Sequence, residues 1–536
     1  MRTNLLFLVV SCLFYFNCAI CANDGLIYYN PILPGYHPDP SICRVGDDYY
    51  MVNSSFEWFP GIPIYKSKDL VNWKLIGYGI SRPGQADFLP GLKDANGIYA
   101  VTIRYHKGIF YLITTSVQGG GNFYITATNP AGEWSDPVWL DAPGIDPSLF
   151  WDDDDRCYYV GQGFLGKSSD MKWPNQRGAW IQELDLKQRK LVGPRKQLTY
   201  GHAANASHTE GPHLYKVNGK YLLLVSEGGT GFYHAITQHY SDSIWGPYIP
   251  SHINPVLTHR NLGKDYPIYA IGHADFVETQ NNEYWMVALG KRRFGNYTYL
   301  ARETFLVPMK FETIYGETSL TVNGGIGRVL ERQNRPNLPW HPYESIPVRD
   351  NFDSSKLDLK WNFLRTPLVV WHECKDGMLE MKLRPEVADS LVNPSLIGQR
   401  LQNIKFRIAT SMNFRSQKQN EEAGIIIYRS SNAYIKLTRV CDSIVLSIKR
   451  RGKKDKIETM ACRYGDTIDL AAVSDGKNVS FFVNQRRFKT TVPLSIISDE
   501  EGSRFNGPYV GVYATSNGQN SMKTVSYDWF DYEELK

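Results

Sequence analysis

The 536-residue chain is poor in cysteine, with eight in all. Three of them, Cys12, Cys18 and Cys21, fall in the first 22 residues. The other five, Cys43, Cys157, Cys374, Cys441 and Cys462, are odd in number and widely scattered. That spacing excludes a disulfide framework, and past residue 22 no CxxC pair or His/Cys cluster suggests zinc. Long apolar runs are also missing: beyond the first 22 residues no segment approaches the roughly 20 needed to cross a bilayer. Nor is there an excess of one charge. The 59 basic and 54 acidic residues leave a net +5, which gives no electrostatic footprint for nucleic acid. With 42% hydrophobic residues the chain is too apolar for disorder.

What is abundant is aromatic. Phe, Trp and Tyr make up 13% of the chain, alongside 45 Gly and 29 Pro. Aromatic residues suit pleated strands, and Gly and Pro suit tight turns, so the composition points to an all-β fold. Residues 1–22 combine Arg2, an apolar core over 5–16 and the small residues Ala19, Cys21 and Ala22. This is the pattern of a cleaved secretory signal, which implies a periplasmic or secreted protein; Cys18 and Cys21 leave a lipid anchor open.

Between residues 30 and 310 a loose repeat is visible. Aromatic strands follow Gly, Asn or Asp turns at Tyr49, Phe110, Tyr158, Tyr221 and Tyr284, at intervals of 61, 48, 63 and 63 residues. Five units of that length, each with room for about four strands, predict a five-bladed β-propeller over residues 23–332. The proline-rich stretch 333–347 reads as a linker. From 348 to 536, alternating apolar runs between turns predict a jelly-roll-like β-sandwich.

Before each aromatic strand lies a polar element: His37-Pro38-Asp39-Pro40-Ser41, a Tyr99–Arg104 segment, Ile145-Asp146-Pro147-Ser148, Thr209-Glu210-Gly211-Pro212 and Gly272-His273-Ala274-Asp275. In a propeller the innermost strands line one channel, so Asp39, Asp146 and Glu210 are expected to converge. Asp-Pro and Glu-Gly-Pro are also turn formers, but two copies of Asp-Pro-Ser plus a corresponding Glu favour a site. Paired carboxylates are what glycosidic cleavage requires, and a third raises the acid's pKa by like-charge repulsion.

The stretches HPDPS (37–41), SSFEWFPGIPIYKSKDLVNW (54–73), GIYAVTIRYH (97–106), GIDPSLFWDDD (144–154), TEGPHLYK (209–216), SEGGTGFYHAIT (226–237), GHADFVET (272–279) and ARETFL (301–306) resemble glycoside hydrolase family 43, a family of inverting glycosidases. The second half resembles the sandwich of its β-xylosidase and α-L-arabinofuranosidase branch. The resemblance implies that Asp39 is the general base, Glu210 the general acid and Asp146 the residue that tunes and orients that acid. It further implies that Arg302, Phe56, Trp58, Tyr99, His273 and the sandwich residue Tyr509 line the sugar pocket. For Trp58 and His273, core packing is the competing reading. Val101-Thr102 and Ala301 depart from the family pattern without touching an acid.

The implied activity is removal of single terminal α-L-arabinofuranosyl residues from the non-reducing ends of plant cell-wall oligosaccharides. A β-D-xylosidase is the alternative, and a sugar-binding lectin the alternative of another class. No cofactor is required on this reading, although the channel could take a structural calcium. The acidic run 152–155 lacks the spacing of a calcium loop and is expected to be a solvated turn, so no metal ligand is assigned.

Overall fold

The computed structural model describes residues 26–86, 91–462 and 464–536, and the signal segment 1–22 lies outside the described residues. Strands dominate, and the helical elements among the described residues are single 3-10 turns. Five antiparallel sheets of four strands each succeed one another along the chain, the fourth with one extra strand. Their first strands are Ser41–Val45, Gly97–His106, Ile145–Trp151, Glu210–Val217 and Ile268–Glu278. Each packs against the next, and the last against the first, which closes a five-bladed propeller around these inner strands.

The aromatic markers sit on the second strand of each blade, which is covered on both faces by neighbouring blades. Tyr49, Phe110, Tyr158 and Tyr221 are accordingly buried, and Tyr284 half-buried. Strands covered on both faces read as continuous apolar runs, and that is how Leu222-Leu223-Leu224-Val225 reads in the fourth blade.

The ring is closed by a clasp. Ile27–Tyr29 pairs antiparallel with Arg332–Asn334. Asn30 reinforces it, donating from Nδ2 to the carbonyls of Leu306 (2.8 Å) and Leu330 (3.0 Å). The first residues of the proline-rich stretch thus belong to this clasp, and His341 further along donates its N–H to Asp69 Oδ2 at 2.9 Å.

Residues beyond 348 form a sandwich of two antiparallel sheets. One is built around Lys405–Asn413, Thr467–Asp475 and Thr524–Glu534. The other is built around Ser395–Arg400, Glu422–Ser430 and Tyr509–Thr515. The second sheet does not end within its own half of the chain. The propeller segment Trp58–Phe59 pairs with Asn362–Leu364 as an outermost strand, with Phe59 opposite Phe363 and Trp58 opposite Leu364. One apolar cluster accordingly runs from Val52, Ile64 and Ile80 of the propeller into Phe363, Trp371 and Phe406 of the sandwich. The two halves therefore share a core.

Candidate active site

The three acids project from the same end of the inner-strand ring, and local backbone chemistry aims them. Asp39 precedes the first inner strand with φ +51°, and Asp146 lies within the third at φ +53°. Aspartate tolerates this left-handed region better than most residues. The proline after each has no N–H to lose from the ladder. The third, fourth and fifth inner strands all shift register near this end, at Ile145/Ser148, Glu210/His213 and Gly272/Ala274. Such bulges re-aim side chains, here those of Asp146, Glu210 and His273.

Asp39 is held from both sides. Its Oδ1 accepts from Arg302 Nη1 at 2.7 Å and its Oδ2 from the Ser54 hydroxyl at 2.6 Å. The flanking turn is fixed by Asn53 Nδ2 on the Pro38 carbonyl (2.9 Å) and Thr304 Oγ1 on the His37 carbonyl (2.8 Å). Burial alone would raise the carboxyl's pKa. The Arg302 guanidinium, then His273 and the Ser54 donor, outweigh burial and hold it below the usual carboxylate range.

The other two acids move the opposite way. Burial pushes Asp146 up to about 6; Asp39 adds to this, while His273 and the Gly211 N–H, which donates to Asp146 Oδ2 at 3.2 Å, oppose it. Burial, followed by the like charges of Asp146 and Asp39, drives Glu210 well above the ordinary glutamate range, against the pull of Arg302. The site therefore holds Asp39 toward its ionised form and Glu210 toward its protonated form. That split lets one pocket supply a base and an acid together.

Arg302 is buried, with its guanidinium 4.8 Å from the Phe56 ring and 5.2 Å from the Phe505 ring. Its Nη2 donates to the Phe505 carbonyl at 3.3 Å, and its buried Nε has no hydrogen-bond partner among the described residues. Phe56 is flanked by Tyr36 and by the half-buried Tyr99, at ring distances of 6.0 and 5.1 Å. The His273 ring lies against the backbone of Gly211, where an added Cβ would approach its Nδ1 to 3.0 Å. The structure therefore brings Asp39, Asp146, Glu210, Arg302, Phe56, Tyr99 and His273 together.

Trp58 and Tyr509 are placed elsewhere, which corrects the expectation that they line the pocket. Each is 1% exposed. They stack on one another in the seam between propeller and sandwich, with Tyr428 edge-on to Trp58. Rings occupied on their faces by protein have none left for a sugar. The sandwich residue that reaches the pocket is Phe505, 44% exposed, which sequence reasoning missed. It belongs to a loop that occurs once in the chain, so no repeat marks it. Its place before Asn506-Gly507-Pro508, a turn-forming run, was the one available signal. Ser54 and Tyr36 were likewise unmarked.

The two family departures have local explanations. Ala301 sits at φ +61°, fully buried, a conformation that favours glycine. Thr102 donates its hydroxyl to the Pro147 carbonyl at 2.9 Å and so ties the second blade to the turn that carries Asp146.

Deeper in the channel, Asp275 is already saturated. It accepts from Arg104 Nη1 (2.8 Å), the Ser41 hydroxyl (2.6 Å), the Ile42 N–H (3.1 Å) and the Tyr215 hydroxyl. Its carboxylate is thus fully engaged by the protein's own donors. The run 152–155 is engaged with Lys107, Arg156, Lys216 and Tyr221. Among the described residues no group of three or more His, Cys, Asp or Glu is placed to hold a metal.

Comparison with known proteins bears on this geometry. Residues 28–313 match the family model for glycosyl hydrolases family 43, and residues 349–533 that for the beta xylosidase C-terminal concanavalin A-like domain. A xylosidase/arabinosidase of Butyrivibrio fibrisolvens is 39% identical over 95% of this chain and 100% of its own length. A non-reducing end alpha-L-arabinofuranosidase of Bacteroides ovatus, BoGH43B, is 36% identical over 95% of each chain. Among solved structures, the Bacteroides ovatus xyloglucan-locus GH43B superposes with a TM-score of 0.87 at 35% identity, covering 95% of this chain and 100% of that one. A xylan beta-1,4-xylosidase from Bacillus halodurans superposes equally well, at 0.87 and 32% identity, covering 94% and 100%.

Proposed function

The chain belongs to glycosyl hydrolases family 43 and is an inverting glycoside hydrolase; we propose that it removes single terminal α-L-arabinofuranosyl residues from the non-reducing ends of plant cell-wall oligosaccharides. The observation that carries the site assignment is the convergence of Asp39, Asp146 and Glu210 in one cluster whose surroundings favour ionised Asp39 and protonated Glu210. Asp39 takes a proton from a water that attacks the anomeric carbon. Glu210 gives its proton to the departing glycosidic oxygen from the opposite side. Direct attack by water inverts the anomeric centre.

Over one turnover Asp39 gains a proton and Glu210 loses one, so the total charge of the cluster is unchanged. Exchange with solvent resets both. Asp146 serves as the positioning residue that keeps Glu210 protonated through its negative charge. Arg302 anchors Asp39 at the edge of the pocket, a task suited to a planar, multi-donor group. The half-buried Tyr99 supplies the aromatic wall of the pocket, backed by the buried Phe56, with His273 beside them.

The arabinofuranoside preference is supported by the likeness to BoGH43B. A β-D-xyloside is the second reading, supported by the equal structural likeness to the Bacillus halodurans xylosidase. Rates on the two nitrophenyl pentosides separate them, and a much higher rate on the xyloside overturns the first. Asp39→Asn and Glu210→Gln should each abolish turnover while the fold is kept, and near-normal hydrolysis by either removes the assignment.

The pattern of residues 1–22 supports action outside the cytoplasm, in the periplasm or beyond it. Cell fractionation and N-terminal sequencing of the mature protein test this.

A further inference from the structure

We propose that Glu57 and Asn506 form a clamp across the seam that sets one wall of the sugar pocket, with Glu57 as its positioning residue. The proposal rests on the reading of Arg302 and Asp39 as pocket residues. Glu57 is a buried carboxyl one residue from Phe56 and plays no part in the acid cluster. Its Oε2 accepts from the Ala95 N–H at 3.1 Å, and its Oε1 accepts from Asn506 Nδ2. Asn506 is fully buried, and its own Oδ1 accepts from the Ser503 hydroxyl at 2.6 Å. A chain of directed hydrogen bonds therefore runs from the propeller backbone at Ala95, through Glu57, into a sandwich loop.

That loop carries Phe505, whose ring covers Arg302 and whose carbonyl accepts from Arg302 Nη2. Its other end is anchored separately, with Asp499 accepting from Lys291 Nζ at 2.6 Å. The loop is pinned on both sides of Phe505, and the Asn506 end lies next to the aromatic ring itself. At Gly507 the backbone meets Tyr36 so closely that an added Cβ would lie 2.2 Å from that side chain. Little freedom remains except through the Glu57–Asn506 bond.

The charged groups facing Glu57 are Asp94 and Arg365, which pair with each other at 3.0 Å; Ser431 also holds Asp94. Burial, reinforced by Asp94 and opposed by Arg365, pushes Glu57 up to about 8. An uncharged carboxyl at neutral pH fits a role in holding a loop rather than in balancing a charge.

The shared hydrogen bond defines a test by double-mutant cycle. On nitrophenyl α-L-arabinofuranoside, Asn506→Ala and Glu57→Ala should each raise KM by about tenfold with kcat changed by less than about threefold. Because each removes the same bond, the double variant E57A/N506A should raise KM by no more than about threefold beyond either single variant. Asn506→Leu, which keeps the side-chain volume without the donor, should match Asn506→Ala and decides the matter if Glu57→Ala does not fold.

A parental KM in N506A, or a double variant whose KM rise is the product of the two single rises, overturns the clamp. Asp39→Asn is assayed alongside. Turnover retained there defeats the pocket assignment, whereas a dead D39N with parental KM in the Asn506 variants defeats the clamp alone.

Discussion

Trp58 of the propeller and Tyr509 of the sandwich lie face to face, ring centroids 3.5 Å apart and 14° from parallel. The stack is buried, so its contribution is to the joint between domains. Trp58→Ala should destabilise the protein by about 3–5 kcal/mol, as large-to-small changes of buried aromatics do. Denaturant unfolding reads the loss. KM of the folded enzyme should stay within about twofold. A large KM rise at unchanged stability would put the ring back in the pocket.

Activity should follow a bell in pH, with the acid limb set by Asp39 and the alkaline limb by Glu210. Asp146→Asn removes a negative charge that raises the Glu210 pKa. Glu210 then loses its proton at lower pH, so the alkaline limb moves acidward, and kcat at neutrality falls by about 10–100-fold. A pH–rate profile with an unmoved alkaline limb would contradict the tuning role.

Arg302→Met removes the main influence that lowers the Asp39 pKa. Asp39 should then hold its proton to higher pH, and the acid limb should move upward. Loss of the guanidinium's donors should cut kcat/KM by about 100-fold or more. An acid limb unchanged in position would show that Arg302 does not set the charge of Asp39.

Lys291 and Asp499 form a buried pair joining the propeller to the sandwich, and Arg429 also donates to Asp499. Lys291→Met leaves a buried carboxylate partly compensated, which should cost about 3 kcal/mol in guanidinium unfolding. Stability equal to the parent would show that Arg429 alone suffices for Asp499.

Much of the propeller was legible because its blades repeat. Each second strand needs an aromatic at the same place, and Tyr49, Phe110, Tyr158 and Tyr221 report that need. The acids were legible for a related reason: Asp39 and Asp146 share an Asp-Pro-Ser that reconciles a left-handed residue with an inner strand. The roles of the acids came from family resemblance, since repetition shows only that they converge.

What escaped reading lies where the two halves meet. Phe505 reaches Arg302 from a loop without a counterpart elsewhere in the chain. Trp58 and Tyr509 were recognisable as large rings near the site, but local sequence cannot tell a ring facing solvent from one facing another domain. The two-residue strand Trp58–Phe59 is too short to show any period.

That short strand also orders events during synthesis. The propeller leaves the ribosome first, yet Trp58–Phe59 must wait until residues 362–364 have been made before its backbone finds its partner. In the interval a nascent propeller displays an unpaired aromatic edge, a template for neighbouring chains. Overproduction that outpaces completion of the C-terminal half should therefore divert the protein into aggregates, and slower translation should recover it.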